Sequence, residues 1–120
     1  MSNIRYKNNN LFVENVSVRR LASKLSTPFY LYSESNIIDN YNSFSNNFKK
    51  SKPLICFSVK ANSNIQILKV LKKMGSGADV VSGGELLKAI KSGIKPNKIV
   101  FSGVGKTEDE IKLAIKKNIL

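Results

Sequence analysis

Residues 54–62 read LICFSVKAN, in which a nearly continuous apolar run from Leu54 to Val59 is followed by Lys60. Because almost no position in the run is strongly polar, it predicts a strand that is buried on both faces of a sheet. Apolar residues then recur at helical spacing from Ile65 to Met74, and Gly75 and Gly77 end that helix. The stretch therefore predicts a strand followed by a helix.

The same strand–helix unit occurs twice more. A strand at Ala78–Val81 precedes a helix from Ser82 to about Ser92, and a strand at Ile99–Phe101 precedes a helix that begins at Thr107. Alternating units with short links predict an α/β fold with a parallel sheet. Right-handed crossovers put the carboxyl ends of the strands on one edge, where ligands bind in both (β/α)8 barrels and doubly wound sheets. Periodicity leaves both architectures open.

Three units are fewer than either architecture requires. A barrel usually needs about 250 residues, whereas this chain has 120 and stops after a helix, where the next strand should begin. We therefore expect a fragment of a longer protein, or a truncated gene product.

The N-terminal third is less regular. Polar residues 1–10 are expected to fray, 11–13 to form a short strand, and Ser17 to cap a helix that runs through Leu25. The aromatic run 29–32 predicts a strand, and Ser33 is expected to cap a helix that reaches about Phe48. Four apolar residues at helical spacing on that helix are expected to pack in the core: Ile37, Tyr41, Phe44 and Phe48.

The net charge of +12 comes from 20 basic and 8 acidic side chains. Such a charge is compatible with nucleic-acid binding. However, the lysines are spread over several predicted helices and are not interleaved with aromatic residues, which favours an ordinary solvated face. We expect no nucleic-acid partner.

Cysteine, histidine and hydropathy restrict the class of protein further. The single cysteine, Cys56, lies in the apolar run and is expected to be a small core residue in a reducing compartment. There is no histidine, which removes histidine-based triads and most zinc sites. No window approaches the roughly 20 apolar residues of a membrane span, and the N-terminus has no apolar signal region. A cytoplasmic protein without metal or membrane contacts is expected.

Lys60 is the residue with the clearest chemical potential. A solvated lysine amine is protonated and a poor nucleophile at neutral pH, but an amine shielded from water at the mouth of a barrel can attack an aldehyde and hold it as a Schiff base. A strand end would anchor that amine rigidly. A lysine that simply extends from a strand end into water fits the same spacing.

Polar residues at the other predicted strand ends complete a possible site. Ser58 precedes Lys60, Asp79 lies inside the second strand, and Ser102 follows the third. A carboxylate inside a strand needs a partner because an unpaired buried charge is costly, and the Lys60 ammonium would serve. Asp79 could instead be a cap or turn residue at the strand start.

Two serine or threonine residues are followed three positions later by glutamate, the spacing of a capping box. These pairs are Ser82 with Glu85 and Thr107 with Glu110. Capping alone explains all four residues of the two pairs.

The sequence Gly105-Lys106-Thr107 imitates the end of a phosphate-binding loop, but the glycine that this motif needs five positions earlier is absent.

Four motifs in the same order resemble the fold-type III pyridoxal-phosphate enzymes, and most closely the diaminopimelate decarboxylase family. The segment 57–62, FSVKAN, resembles the Y-A-x-K-A-N motif, although Phe57 stands where tyrosine is usual. The segment 77–86 is similar to G-x-D-x-x-S-x-G-E-L, 98–111 to the third signature, and 27–32 to the T-P-x-Y-V-Y entry strand. Together they extend over about residues 11–118.

The resemblance implies the N-terminal portion of an alanine-racemase-like (β/α)8 barrel that is incomplete in this chain. Residues 1–26 would associate with a C-terminal β-domain, and 27–120 would begin the pyridoxal-phosphate-binding barrel. Lys60 would hold pyridoxal 5′-phosphate covalently, with Ser58 and Asp79 near the cofactor. The reaction would be decarboxylation of meso-2,6-diaminopimelate to L-lysine in a cytoplasmic homodimer.

The resemblance also implies that other parts of the site lie further along the family's chain. These are the phosphate-binding glycines, the carboxylate that faces the ring nitrogen and the arginines that bind substrate. The 120 residues alone are therefore expected to be inactive, or nearly so. A non-catalytic pyridoxal-phosphate carrier, an inactive truncated fragment and a decarboxylase of another amino acid remain alternatives.

Overall fold

A computed structural model describes residues 3–48 and 50–120. The chain divides into two compact units, one ending at Asn40 and the other Tyr41–Leu120. Among the described residues, no helix has the length and apolar character needed to cross a membrane.

The first unit begins with a three-stranded antiparallel sheet. The strands are β1 (Ile4–Lys7), β2 (Asn10–Val13) and β3 (Val16–Ser17), in the order β1-β2-β3. Asn8 and Asn9 form the first turn with positive φ of 50° and 57°, as a two-residue hairpin turn that matches strand twist requires. The prediction that residues 1–10 fray is wrong for β1, because its ladder to β2 satisfies its backbone; residues 1 and 2 lie outside the described part.

Helix α1 (Val18–Ala22) begins at the predicted cap. The Ser17 hydroxyl accepts a hydrogen bond from the Arg20 N–H at 3.4 Å, which satisfies one backbone donor that the first turn leaves unpaired. The helix ends three residues before the predicted end at Leu25.

The predicted strand at residues 29–32 does not form. Its backbone makes no ladder with any described strand, and Tyr30 is 90% exposed. Aromatic residues favour a strand only where a neighbouring strand supplies backbone partners and a surface to pack on, and here neither is present. Helix α2 (Glu34–Asn46) follows, and Ser33 caps it by accepting from the Asn36 N–H at 3.1 Å, as predicted.

The predicted core packing of four apolar residues is wrong for Phe44 on α2 and for Phe48, which lies two residues beyond the helix, whereas Ile37 and Tyr41 are half-buried. Phe44 is 55% exposed and Phe48 is 42% exposed. Their rings lie 5.1 Å apart and line an open cavity of about 370 Å³ together with Leu54 and Ile55. Helical spacing identified residues on one face of the helix but not whether another element covers that face.

The second unit contains the three predicted strand–helix units. Strands β4 (Cys56–Ser58), β5 (Gly77–Val80) and β6 (Ile99–Phe101) form a parallel sheet in the order β4-β5-β6. A 3₁₀ turn (Val59–Ala61) follows β4, and the main helices are α3 (Ile65–Lys73), α4 (Gly83–Lys91) and α5 (Glu108–Lys116). After α5 the chain returns to the sheet, where the Leu120 N–H donates to the Ile99 carbonyl at 3.0 Å.

The core of this unit lies between the sheet and its helices. Its largest side chains are fully buried, and each contributes roughly 1.5–3 kcal/mol by leaving water: Leu68, Leu86, Ile99, Val59 and Val80. Phe57 packs against this cluster as a partly buried side chain. Because phenylalanine has no hydroxyl, that position requires no hydrogen-bond partner.

Candidate active site

The parallel register brings three polar side chains together at the carboxyl edge of the sheet. Ser58 on β4 lies opposite Asp79 on β5, and Asp79 lies opposite Val100 on β6. The Ser58 hydroxyl donates to Asp79 Oδ2 at 3.3 Å, and the Ser102 hydroxyl donates to Asp79 Oδ1 at 2.5 Å. We call Ser58, Asp79 and Ser102 the Asp79 cluster.

Hydroxyl donors explain how a carboxylate is tolerated inside a strand. Asp79 is half-buried, and each of its two oxygens accepts one hydrogen bond. The sequence predicts the Lys60 ammonium as the partner of this carboxylate, whereas in the structure two serines, one on each side of β5, donate to it. A carboxylate has about four acceptor positions, so the Asp79 cluster retains capacity for further donors.

Lys60 lies in the 3₁₀ turn directly after β4, two residues beyond Ser58. Its side chain is exposed, and among residues 3–48 and 50–120 its amine makes no hydrogen bond or ion pair. The shielding from water expected for this amine requires a closed ring of strands, whereas β4, β5 and β6 form an open sheet. An accessible amine without a competing partner is nevertheless the group that condensation with an aldehyde requires.

Glu110 joins the two loops that follow β5 and β6. Its Oε1 accepts from the Gly83 N–H at 2.7 Å, and its Oε2 accepts from the Thr107 N–H at 3.0 Å. These bonds, led by the one from Gly83, lower the pKa of Glu110 below its usual value. A Cβ on Gly83 would lie 3.3 Å from Glu110 Cγ, so the glycine allows the close approach.

The two predicted capping boxes differ in the structure. Thr107 and Glu110 form the complete box at the start of α5. At α4, the Ser82 hydroxyl accepts from the Glu85 N–H at 3.2 Å, which is half of a capping box. The Glu85 carboxylate accepts from the Val81 N–H at 2.9 Å instead of from the N–H of the cap residue Ser82. The loop after β5 is thus held by Glu85, which lies on the following helix α4, and by Glu110, which lies on α5.

The loop from Ser102 to Thr107 contains the sequence Gly105-Lys106-Thr107 that imitates a phosphate-binding motif. Lys106 turns back onto its own loop, where its ammonium donates to the Gly103 carbonyl and lies 5.5 Å from the centre of the Phe101 ring. The described residues also contain no group of three histidine, cysteine or acidic side chains that could hold a metal ion.

The fold and this edge define an α/β domain with an accessible lysine at the carboxyl end of a parallel strand. A sequence model of the family described as "Pyridoxal-dependent decarboxylase, pyridoxal binding domain" matches residues 34–120. The chain belongs to this family.

Within the family, the chain matches the N-terminal part of proteins named diaminopimelate decarboxylase. It is 44% identical over 117 residues to the protein of Aquifex aeolicus, covering 98% of this chain and 27% of that protein. It is 55% identical over 94 residues to the protein of Helicobacter pylori strain J99, covering 78% of this chain and 23% of that protein. The chain therefore spans about a quarter of the length of these curated relatives.

A solved relative extends the match to the fold. The crystal structure of diaminopimelate decarboxylase from M. jannaschii in complex with L-lysine superposes with a TM-score of 0.91 at 39% identity. The superposition covers 97% of this chain and 28% of that one. The predicted fold class is confirmed: the chain is the N-terminal part of a fold-type III decarboxylase barrel domain, and its barrel is incomplete.

Proposed function

We propose that this chain is the part of a diaminopimelate decarboxylase that carries the cofactor lysine. The activity would be the pyridoxal-phosphate-dependent conversion of meso-2,6-diaminopimelate to L-lysine and carbon dioxide. The identity of 44–55% to proteins of that name supports this substrate. The observation that carries the proposal is the exposed Lys60 side chain at the carboxyl edge of a parallel sheet, directly after the strand that bears Ser58.

Bound pyridoxal phosphate would supply an electron sink for the electron pair that remains when carbon dioxide leaves. The chain's own residues would do the rest of the work at this edge. Lys60 would bind the aldehyde carbon covalently, yield it to the substrate amine and take it back after the reaction. Asp79 would hold the Lys60 ammonium while that amine is displaced, and Ser58 would orient Asp79.

The larger assembly is part of the same proposal. Residues 1–26 would associate with a C-terminal β-domain, and residues 27–120 would begin the barrel. The working enzyme would be a cytoplasmic homodimer. The family to which the chain belongs supports this part of the proposal.

A chimera tests the proposal. Residues 1–120 replace the matching N-terminal part of the Aquifex aeolicus protein, and carbon dioxide release is measured with meso-2,6-diaminopimelate, L-lysine and L-ornithine. We expect activity with meso-2,6-diaminopimelate that Lys60→Ala abolishes. The matched control is Lys69→Ala, which removes an exposed lysine of α3 and should leave the rate unchanged.

Other outcomes would select the alternatives. Cofactor binding without carbon dioxide release from any of the three amino acids would favour a carrier protein. Faster turnover of L-lysine or L-ornithine would assign another amino acid as substrate. A folded chimera that neither binds cofactor nor reacts would identify an inactive segment, and full activity in Lys60→Ala would remove Lys60 from the chemistry.

A further inference from the structure

The hydroxyl of Ser102 is placed by the sheet itself. Ser102 follows the last residue of β6, yet its N–H donates to the Val80 carbonyl at 2.9 Å, which continues the β5–β6 ladder by one step. Asp79 pairs with Val100, and side chains alternate between the faces of a strand, so Ser102 lies on the same face as Asp79. The backbone hydrogen bonds thus set the face of the sheet on which its hydroxyl lies.

The two serines hold Asp79 from opposite sides. Ser58 ends β4 on one side of β5, Ser102 directly follows β6 on the other side, and each donates to a different carboxylate oxygen. Bonds from a hydroxyl to a carboxylate are charge-assisted and directional, so this pair fixes the rotation of the Asp79 side chain.

From this geometry we infer that Ser102 is a positioning residue, which acts by orienting the Asp79 carboxylate toward a cation at the carboxyl edge of the sheet. The inference deepens the proposed function, because the cation would be the Lys60 ammonium or the substrate ammonium. Ser102 itself would touch neither substrate nor cofactor. Its effect would pass entirely through Asp79.

The first test needs neither cofactor nor activity. The side-chain torsion of Asp79 is measured by NMR couplings in the 120-residue chain. We expect one rotamer in the wild type and in Ser102→Thr, which keeps a hydroxyl, and averaging over several rotamers in Ser102→Ala. A single unchanged Asp79 rotamer in Ser102→Ala would overturn the inference, whatever becomes of the proposed function.

The second test uses the chimera. Loss of a hydrogen bond to a charged group predicts that Ser102→Ala lowers kcat about tenfold to a hundredfold. KM and the urea midpoint should stay near the wild-type values, and Ser102→Thr should retain most of the rate. Ser63→Ala, which removes a hydroxyl that contacts Lys88 instead, is the control with unchanged kcat.

A double-mutant cycle separates action through Asp79 from an independent effect. If Ser102 works only by orienting Asp79, adding Ser102→Ala to Asp79→Ala should cause no further loss of kcat. Additive losses, or equal rates in Ser102→Ala and wild type, would refute the inference while leaving Lys60 unaffected. An inactive wild-type chimera, or an active Lys60→Ala chimera, would instead count against the proposed function.

Discussion

Gly77→Ala should damage the sheet at the strand that carries Asp79. A Cβ at position 77 would lie 2.3 Å from the Lys98 carbonyl oxygen and 2.8 Å from Cys56 Sγ. Ordinary contact begins at 3.4 Å, so β5 and β6 would have to separate by about 1 Å, the difference between 3.4 and 2.3 Å. The obstacle is the backbone carbonyl of Lys98, the residue directly before β6, and a backbone carbonyl has no alternative rotamer.

The magnitude follows from two opposing effects. Overpacking in a well-packed interior costs typically 1–3 kcal/mol, and the upper end, about 3 kcal/mol, applies where backbone must move. Replacing glycine restricts the unfolded chain and returns about 0.4–1 kcal/mol. The net loss should be about 2 kcal/mol, which corresponds to a fall in Tm of roughly 10 °C for a unit of this size.

Urea and thermal unfolding of the 120-residue chain, followed by circular dichroism, measure this loss. Gly105→Ala is the matched control, because nothing lies within 4 Å of its added Cβ; its stability should stay unchanged or rise by up to about 1 kcal/mol, because only the restriction of the unfolded chain remains. Adding Cys56→Ala removes the sulfur contact but leaves the Lys98 carbonyl, so recovery should be incomplete. A Gly77→Ala variant as stable as Gly105→Ala would refute the steric argument.

Three further predictions concern the core, the helix caps and the response to acid. Leu86→Ala should lower the free energy of unfolding by about 2–5 kcal/mol because Leu86 is fully buried, whereas Leu87→Ala at a half-exposed neighbour should change it far less in the same urea titration. Thr107→Ala should cost about 1 kcal/mol by removing the cap of α5, and Thr107→Ser should restore most of it. The Glu110 pKa is lowered in the folded chain, so its stabilisation is present above the unfolded pKa and is lost as pH falls through the folded value. Urea midpoints at pH 7 and pH 4 should therefore differ less in Glu110→Gln than in the wild type, and an equal acid response would contradict the bonds to Gly83 and Thr107.

Regular alternation made the second unit predictable from sequence. The run ending at Lys60 and the two later strand–helix units follow from local periodicity, and the parallel order then places Ser58, Asp79 and Ser102 at one edge. The helix caps at Ser17, Ser33 and Thr107 were also predictable from sequence, because each cap bonds a backbone N–H only three residues further along the chain.

The missed features depend on contacts between distant residues. The run 29–32 has strand propensity but no strand beside it, and the exposed faces of Phe44 and Phe48 are set by what packs against α2 and not by their spacing. The bond from Gly83 to Glu110 joins residues 27 apart in the sequence, so no local motif encodes it. Ser102 could have been recognised as a partner of Asp79 from the parallel register, since it lies two residues beyond Val100.

The central claim is that the Lys60 amine binds the aldehyde of pyridoxal phosphate. Its most direct test is borohydride reduction of the chimera with pyridoxal phosphate bound, followed by peptide mass mapping. We expect one stoichiometric label on the peptide that contains Lys60, retained in Lys69→Ala and lost in Lys60→Ala. A stoichiometric label on another lysine, or one that persists in Lys60→Ala, would contradict it.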